Sequence, residues 1–288
     1  METAHQAKRG LNAPQIRQIV PCRSPPPKPL GYNPAMSVQT PPAVPTEAYG
    51  EQYFEAYNYA DRPLDRFSMY WFARRYYAAL VRRYAPRGGG WLLEMGSGLG
   101  HLLGLLQDDF RCVGIDLAPW AARQTRLNAP KADALALSAE DLTVFPDETF
   151  DVVVALHLVE HLADPAAAIR EVARVLSDGG LFLFATPNPV YALRPLKRPD
   201  ETPDAISKDP THISVHPPDA WRGWTEGAGL RVLRAFGDGL WDVPYLPLLP
   251  KAVQFALFGW PSLIQVLTCG TFMPVSLGVN LVVLARKP

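Results

Sequence analysis

The residues able to do chemistry fall in four places along the chain. The first is Glu94-Met95-Gly96-Ser97-Gly98-Leu99-Gly100. An apolar run from Trp91 to Met95 reads as a buried strand, and Leu102, Leu103, Leu105 and Leu106 behind the glycines follow helical spacing. Strand, glycine turn and helix leave backbone N–H groups free and let a nucleotide-like ligand approach the chain closely. The third glycine comes one place too early for the G-x-G-x-x-G spacing of dinucleotide sites, where His101 stands instead. The second place is Asp116, 22 residues after Glu94 at the end of the apolar run Phe110 to Ile115. An acid at that distance is placed to accept hydrogen bonds from ribose hydroxyls. It could instead cap the helix expected from Pro119, but the spacing favours ribose. Ile115 and Leu117 would then flank the base.

The third place is Ser138-Ala139-Glu140, in a loop after a short strand. The fourth is His157, Glu160 and His161, with His212 further on. Positions 157, 160 and 161 would share one face of a helical turn directly after a strand. A neutral imidazole near pH 7 suits a general base on an acceptor hydroxyl, and His161 and His212 are the candidates for that role. Local capping by Glu160 with packing of His161 ranks second, and a metal site third.

Four further stretches carry separate motifs. They are Ser138-Ala139-Glu140-Asp141-Leu142 with Phe145-Pro146-Asp147, Glu160-His161-Leu162 with Asp164-Pro165, Leu176 with Gly179-Gly180-Leu181, and Thr186-Pro187-Asn188-Pro189. With the glycine turn they resemble, in order and spacing from Glu94 to Asn188, the class I S-adenosylmethionine (SAM) methyltransferases. The resemblance implies a Rossmann-like, doubly wound seven-stranded α/β sheet with the last strand antiparallel. It implies SAM as cofactor, bound by Glu94, Gly96, Gly98, Gly100, Asp116, Leu117, Ser138, Ala139, Glu140 and His157. Many members have an aspartate at the place of Ser138, so Glu140 is the alternative carboxylate for the adenine amino group. Glu160-His161 resembles a metal-binding pair of ubiquinone-pathway and small-RNA O-methyltransferases, which have a glutamate where His157 stands. That histidine departs from the oxygen ligands Mg²⁺ prefers and would suit a transition metal better. The assignment made from the sequence is therefore no metal.

The elements that must position these residues follow from the rest of the chain. Residues 1–45 hold ten of the thirty prolines and no periodic apolar pattern, so a disordered tail is expected. Met36 is a second plausible start. The tail has no apolar stretch of the secretory type. Residues 46–90 form an expected helical cap: an aromatic cluster (Tyr49, Tyr53, Phe54, Tyr57, Tyr59) that could fold over the cofactor cleft, then an amphipathic helix from about Leu64 to Tyr84. The methyltransferase domain takes 91–288, with a helix from Pro165 closed by Asp178-Gly179-Gly180. A proline-rich loop over residues 190–211 is expected above the carboxyl ends of the strands. Residues 244–278 are an apolar insertion carrying one charge, Lys251. Pro261 and Pro274 interrupt it, which favours a lid over the substrate or a helix lying on a membrane surface over a span.

Lys and Arg together equal Asp and Glu, 28 each, which argues against a nucleic-acid partner. The three cysteines form no close pair, so a reducing, cytoplasmic setting is the default, with membrane contact only at the periphery. The expected activity is methyl transfer from SAM to a small or lipid-like acceptor at a hydroxyl oxygen. A SAM-binding protein without catalysis, an RNA 2′-O-methyltransferase and a nicotinamide-dependent enzyme are the rivals.

Overall fold

The computed structural model describes residues 49–56, 68–197, 204 and 206–288. The expectations for the tail, for Tyr57 and Tyr59, and for the helix start at Leu64 lie outside the described residues. Seven strands form one sheet: β1 (Trp91–Met95), β2 (Arg111–Asp116), β3 (Asp133–Ala136), β4 (Phe150–Leu156), β5 (Leu176–Pro187), β6 (Arg231–Gly237) and β7 (Asn280–Arg286). Their order is β3-β2-β1-β4-β5-β7-β6. β1 to β5 pair in parallel, and β7 runs antiparallel between β5 and β6. This is the expected doubly wound sheet with its last strand reversed.

The alternation along each strand splits the core in two. Leu93, Val153, Phe182 and Val283 face one layer with Ile169 and Val172 of α5 (Pro165–Val175) and Trp221 of α6 (Pro218–Gly227). Leu92, Val152, Leu183 and Val282 face the other with Leu80 of α2 (Met69–Tyr84) and Leu103 of α3 (His101–Leu106). A sheet covered on both faces needs near-continuous apolar strands, and β1, β4 and β5 are such runs. The remaining helices are α1 (Glu51–Ala56), α4 (Pro119–Asn128), α7 (Lys251–Phe258) and α8 (Trp260–Leu267).

Two local expectations change. α5 ends at Val175, and Leu176 already pairs with Phe150; Gly179, at φ 74°, turns a bulge inside β5 rather than closing the helix. After β4 no helical turn begins at His157. Its φ of 54° breaks the chain direction, and only Val159–His161 forms a short 3-10 turn. The strand order reverses between β1 and β4, and in such sheets the carboxyl ends of those strands open the crevice where ligands bind.

Candidate functional site

At that crevice lies a cavity of about 850 Å³. Its floor is the turn after β1. Gly96, Gly98 and Gly100 have φ of 66°, 52° and 74°, values that side chains rarely adopt. They serve different purposes. A Cβ on Gly98 would meet only the Phe54 ring, 3.3 Å away, and one on Gly96 would meet Leu158; both glycines line the cavity. Gly100 does not line it. A Cβ there would lie 2.6 Å from the Cα of Thr125, so this glycine lets α4 pack against the turn. The sequence placed it with the cofactor residues because spacing alone does not separate the two uses.

Asp116 braces the same turn. Its carboxylate accepts the Gly98 N–H at 2.9 Å and the Ala118 N–H at 3.0 Å. Burial raises its pKa and the two N–H groups oppose that. Each oxygen keeps acceptor capacity for a ribose hydroxyl, so the capping and ribose roles are compatible.

Glu94 ends up wholly buried at the cavity wall. Burial pushes its carboxyl up to about 8 against the opposing pull of Arg74, while Asp116 adds to the rise. One oxygen, Oε2, has no hydrogen-bond partner among the described residues. A buried acceptor without a donor beside a glycine cradle fits a ligand with a cationic or N–H-bearing end, and the amino-acid portion of SAM is one. Next to it, His101 Nδ1 lies 3.0 Å from the Tyr70 hydroxyl, and burial, with Arg74, brings its pKa down to about 4. That ring is neutral at physiological pH.

On the opposite side, Leu117, Ser138, Ala139 and Glu140 line the cavity. Glu140 Oε1 already accepts the N–H groups of Ala163 (2.7 Å) and Asp164 (3.2 Å), which ties this loop to the start of α5. Only its other oxygen remains for a ligand.

The histidines gather at the rim. His157 points Nδ1 at Glu160 Oε1 from 3.5 Å, too long for a good hydrogen bond. Both Glu160 oxygens are therefore buried without a donor among the described residues. Burial would raise its carboxyl, but His157, His161 and His212 outweigh that and hold it below its ordinary value. His161 Nδ1 lies 3.1 Å from the Thr211 carbonyl oxygen. The Thr211 hydroxyl is nearer, at 3.0 Å, but donates its proton to Asp209 Oδ1; with only acceptors beside it, Nδ1 carries the proton and Nε2 is left as an acceptor. His212 repeats the pattern, with Nδ1 3.0 Å from the Ile206 carbonyl. The two rings lie 4.9 Å apart. Ligand atoms of Glu160, His161 and His212 come within 4.8 Å of one another, whereas His157 is not part of that group.

Several cavity residues had no signal in the sequence. Asp209 accepts the Tyr53 hydroxyl at 2.9 Å and the Thr211 N–H at 2.9 Å, which joins α1 to the loop before His212. Tyr70, Arg74, Trp241 and Asn280 also line the cavity. These residues belong to no motif and come together only through the packing of α2 and the β6–β7 connection. Tyr49, Tyr53 and Phe54 do reach the cavity, where the aromatic cluster was expected to fold.

A family model described as "Methyltransferase domain" matches residues 70–235. The chain belongs to that family. A relative named "Probable S-adenosylmethionine-dependent methyltransferase" from Mycolicibacterium smegmatis is 37% identical over 122 residues, 41% of this chain and 46% of that protein. A "Ubiquinone biosynthesis O-methyltransferase" from Albidiferax ferrireducens is 32% identical over 114 residues, 38% of this chain and 45% of that protein. The match thus spans under half the length of these relatives. The Haloferax volcanii methyltransferase solved with the activator Trm112 superposes with a TM-score of 0.57 at 20% identity, over 84% of this chain and 97% of the other, which shows the fold. The chain thus carries a methyltransferase domain, and the cofactor named in the first of these relatives is SAM. The structural test of that cofactor is the unpartnered Glu94 oxygen beside the Gly96–Gly98 cradle, and the residues fit.

Proposed function

We propose that this methyltransferase acts on a hydroxyl oxygen of a small or lipid-like acceptor, with His161 as general base. The observation that carries the reading is the His161 tautomer, whose Nδ1–H is held by the Thr211 carbonyl so that Nε2 is left to take a proton. Bound SAM supplies an electrophilic methyl group on a sulfonium. The chain's own residues do the rest. Gly96 and Gly98 admit the cofactor backbone, Glu94 accepts from its amino end, and Asp116 accepts from ribose. Leu117, Ser138, Ala139 and Glu140 enclose the adenine, and His157 stands between the cofactor and the histidine pair. Tyr49 packs edge-on against His161 with ring centroids 5.9 Å apart and shields the ring from water. Holding the acceptor in line with the reacting bond is the main contribution of such a site. The name of the ubiquinone-pathway relatives supports an oxygen acceptor.

Formation of S-adenosylhomocysteine with a panel of phenols, catechols and prenylated phenols tests this. His161→Ala is expected to lower turnover by about 10²–10⁴-fold with SAM affinity unchanged, the range of a lost general base. Full turnover in that variant overturns the base.

One observation favours a second reading. The closeness of Glu160, His161 and His212, each histidine with Nδ1 tied to a carbonyl, is also the arrangement of metal-ligating histidines. Turnover abolished by a chelator and restored by Zn²⁺ or Mn²⁺ would select it. Turnover insensitive to chelator selects the base alone.

A further inference from the structure

The connection between β6 and β7 is built inside out. In a water-facing helix, polar residues point outward and apolar ones inward. In α7 and α8 the fully buried side chains are polar. The Gln254 carboxamide accepts from the backbone N–H of Tyr245 and Leu246 and donates to the carbonyls of Leu246 and Leu249. Gln265 accepts from the N–H of Phe272 and Met273 and donates to the Gly237 carbonyl. Both residues are completely buried, with Ser262 beside them. The outward face is Phe255, Leu257, Trp260, Leu263, Ile264 and Leu267, and Leu257, Trp260 and Leu267 are 54%, 56% and 61% exposed. Leu248 at 94% and Phe272 at 55% extend the same segment on either side. Rolling the helices to hide these residues would break the seven bonds of the two glutamines, so the sequence fixes the apolar face outward.

The surroundings say what covers it. α8 packs on α2, where Tyr76 donates to the Gly270 carbonyl and Arg83 to the Cys269 carbonyl. α2 contains four arginines and no acid. Arg75 and Arg83 are exposed on it, and Lys251, also exposed, begins α7. An apolar face rimmed by cations complements an anionic lipid surface, where tryptophan and basic residues sit at headgroup level. Each helix has eight residues, far too few to cross a bilayer, and no helix among the described residues is long and apolar enough to do so. They can only lie in the plane of the interface.

We infer that α7 and α8 form a platform that docks this enzyme on the surface of an anionic bilayer. The same connection supplies Trp241 and Asp242 to the cavity wall and leads into Asn280. The platform and part of the cavity wall therefore belong to one connection. This inference stands without the hydroxyl reading; only its link to a lipid-like acceptor rests on it.

Flotation of the full chain with vesicles of phosphatidylcholine containing 30% phosphatidylglycerol tests the platform. The wild type is expected to float with these vesicles and at least 10-fold less with pure phosphatidylcholine. The variant Leu257→Ser/Trp260→Ser/Leu267→Ser is expected to stay in the aqueous phase. Leu127→Ser, at an exposed leucine of α4, is expected to float as wild type does. SAM binding by each variant reports that it is folded, separately from any turnover. A wild type that stays in the aqueous phase, or a triple variant that still floats, overturns the platform. So does a wild-type dimer in light scattering that the triple substitution converts to monomer, because the face would then belong to a second copy of the chain.

Discussion

Glu94 shows how far a residue's setting can move its chemistry. Its carboxyl titrates near 8 because burial removes water from the charged form and Arg74 compensates only in part. The folded-state pKa lies above the unfolded one. The folded chain therefore holds the proton more tightly, and stability is fully present below the unfolded value near 4.5 and is lost as pH rises through about 8. The slope reaches at most about 1.4 kcal/mol per pH unit. Thermal unfolding of the ligand-free protein between pH 6 and 9 is expected to show falling stability, and Glu94→Gln is expected to flatten the profile. A cationic ligand end favours the ionised carboxylate, so SAM binding to the wild type strengthens across the same window and releases a proton. Calorimetry in buffers of different ionisation heat would read that proton, and none should be released by Glu94→Gln.

The glycine turn is the element on which the site depends, and its glycines are separable. Gly100→Ala puts a Cβ into the backbone of α4 at a positive φ. Strained backbone and overpacking each cost about 1–3 kcal/mol, so a marked drop in melting temperature is expected. Gly98→Ala meets only the Phe54 ring and carries the backbone strain alone. It is expected to lose less stability and more SAM affinity, because its Cβ enters the cavity. Titration calorimetry and thermal melts on both variants would check the contrast. Equal losses of affinity would show that Gly100 serves the ligand as well. α1 adds a second device at this scale. Phe54 covers Gly98 while Tyr53 reaches Asp209, so this short helix links the cofactor floor to the loop that carries His212.

Over the whole molecule, the two-faced core holds the site without forming it. Trp221 is completely buried in the layer under α5 and α6 and donates its indole N–H to the His216 carbonyl at 3.0 Å. Trp221→Ala is expected to cost about 3–5 kcal/mol of stability through the cavity it leaves. Since Trp221 does not line the ligand cavity, SAM affinity measured well below the melting temperature is expected to stay within twofold of wild type. A large affinity loss with an intact fold would show that this layer transmits strain to the crevice.

The order of strands and helices, the glycine turn, the acid that ends β2 and the loop after β3 were legible in the sequence. These features are local: a period of two or of 3.6, or a glycine where φ must be positive, is written in neighbouring residues. The same neighbours could not say that Gly100 packs against Thr125 while Gly98 faces the cavity, since that contact joins residues 25 positions apart. They could not say that a left-handed residue at His157 would leave it outside the group of Glu160, His161 and His212, or that Thr211 and Ile206 would fix the tautomers of the last two. The apolar composition of 244–278 was plain, but not which side of its helices would face outward. That was decided by two glutamines whose amide groups satisfy backbone left open by the turns of the β6–β7 connection, and a buried polar group must find its partners wherever the fold brings them.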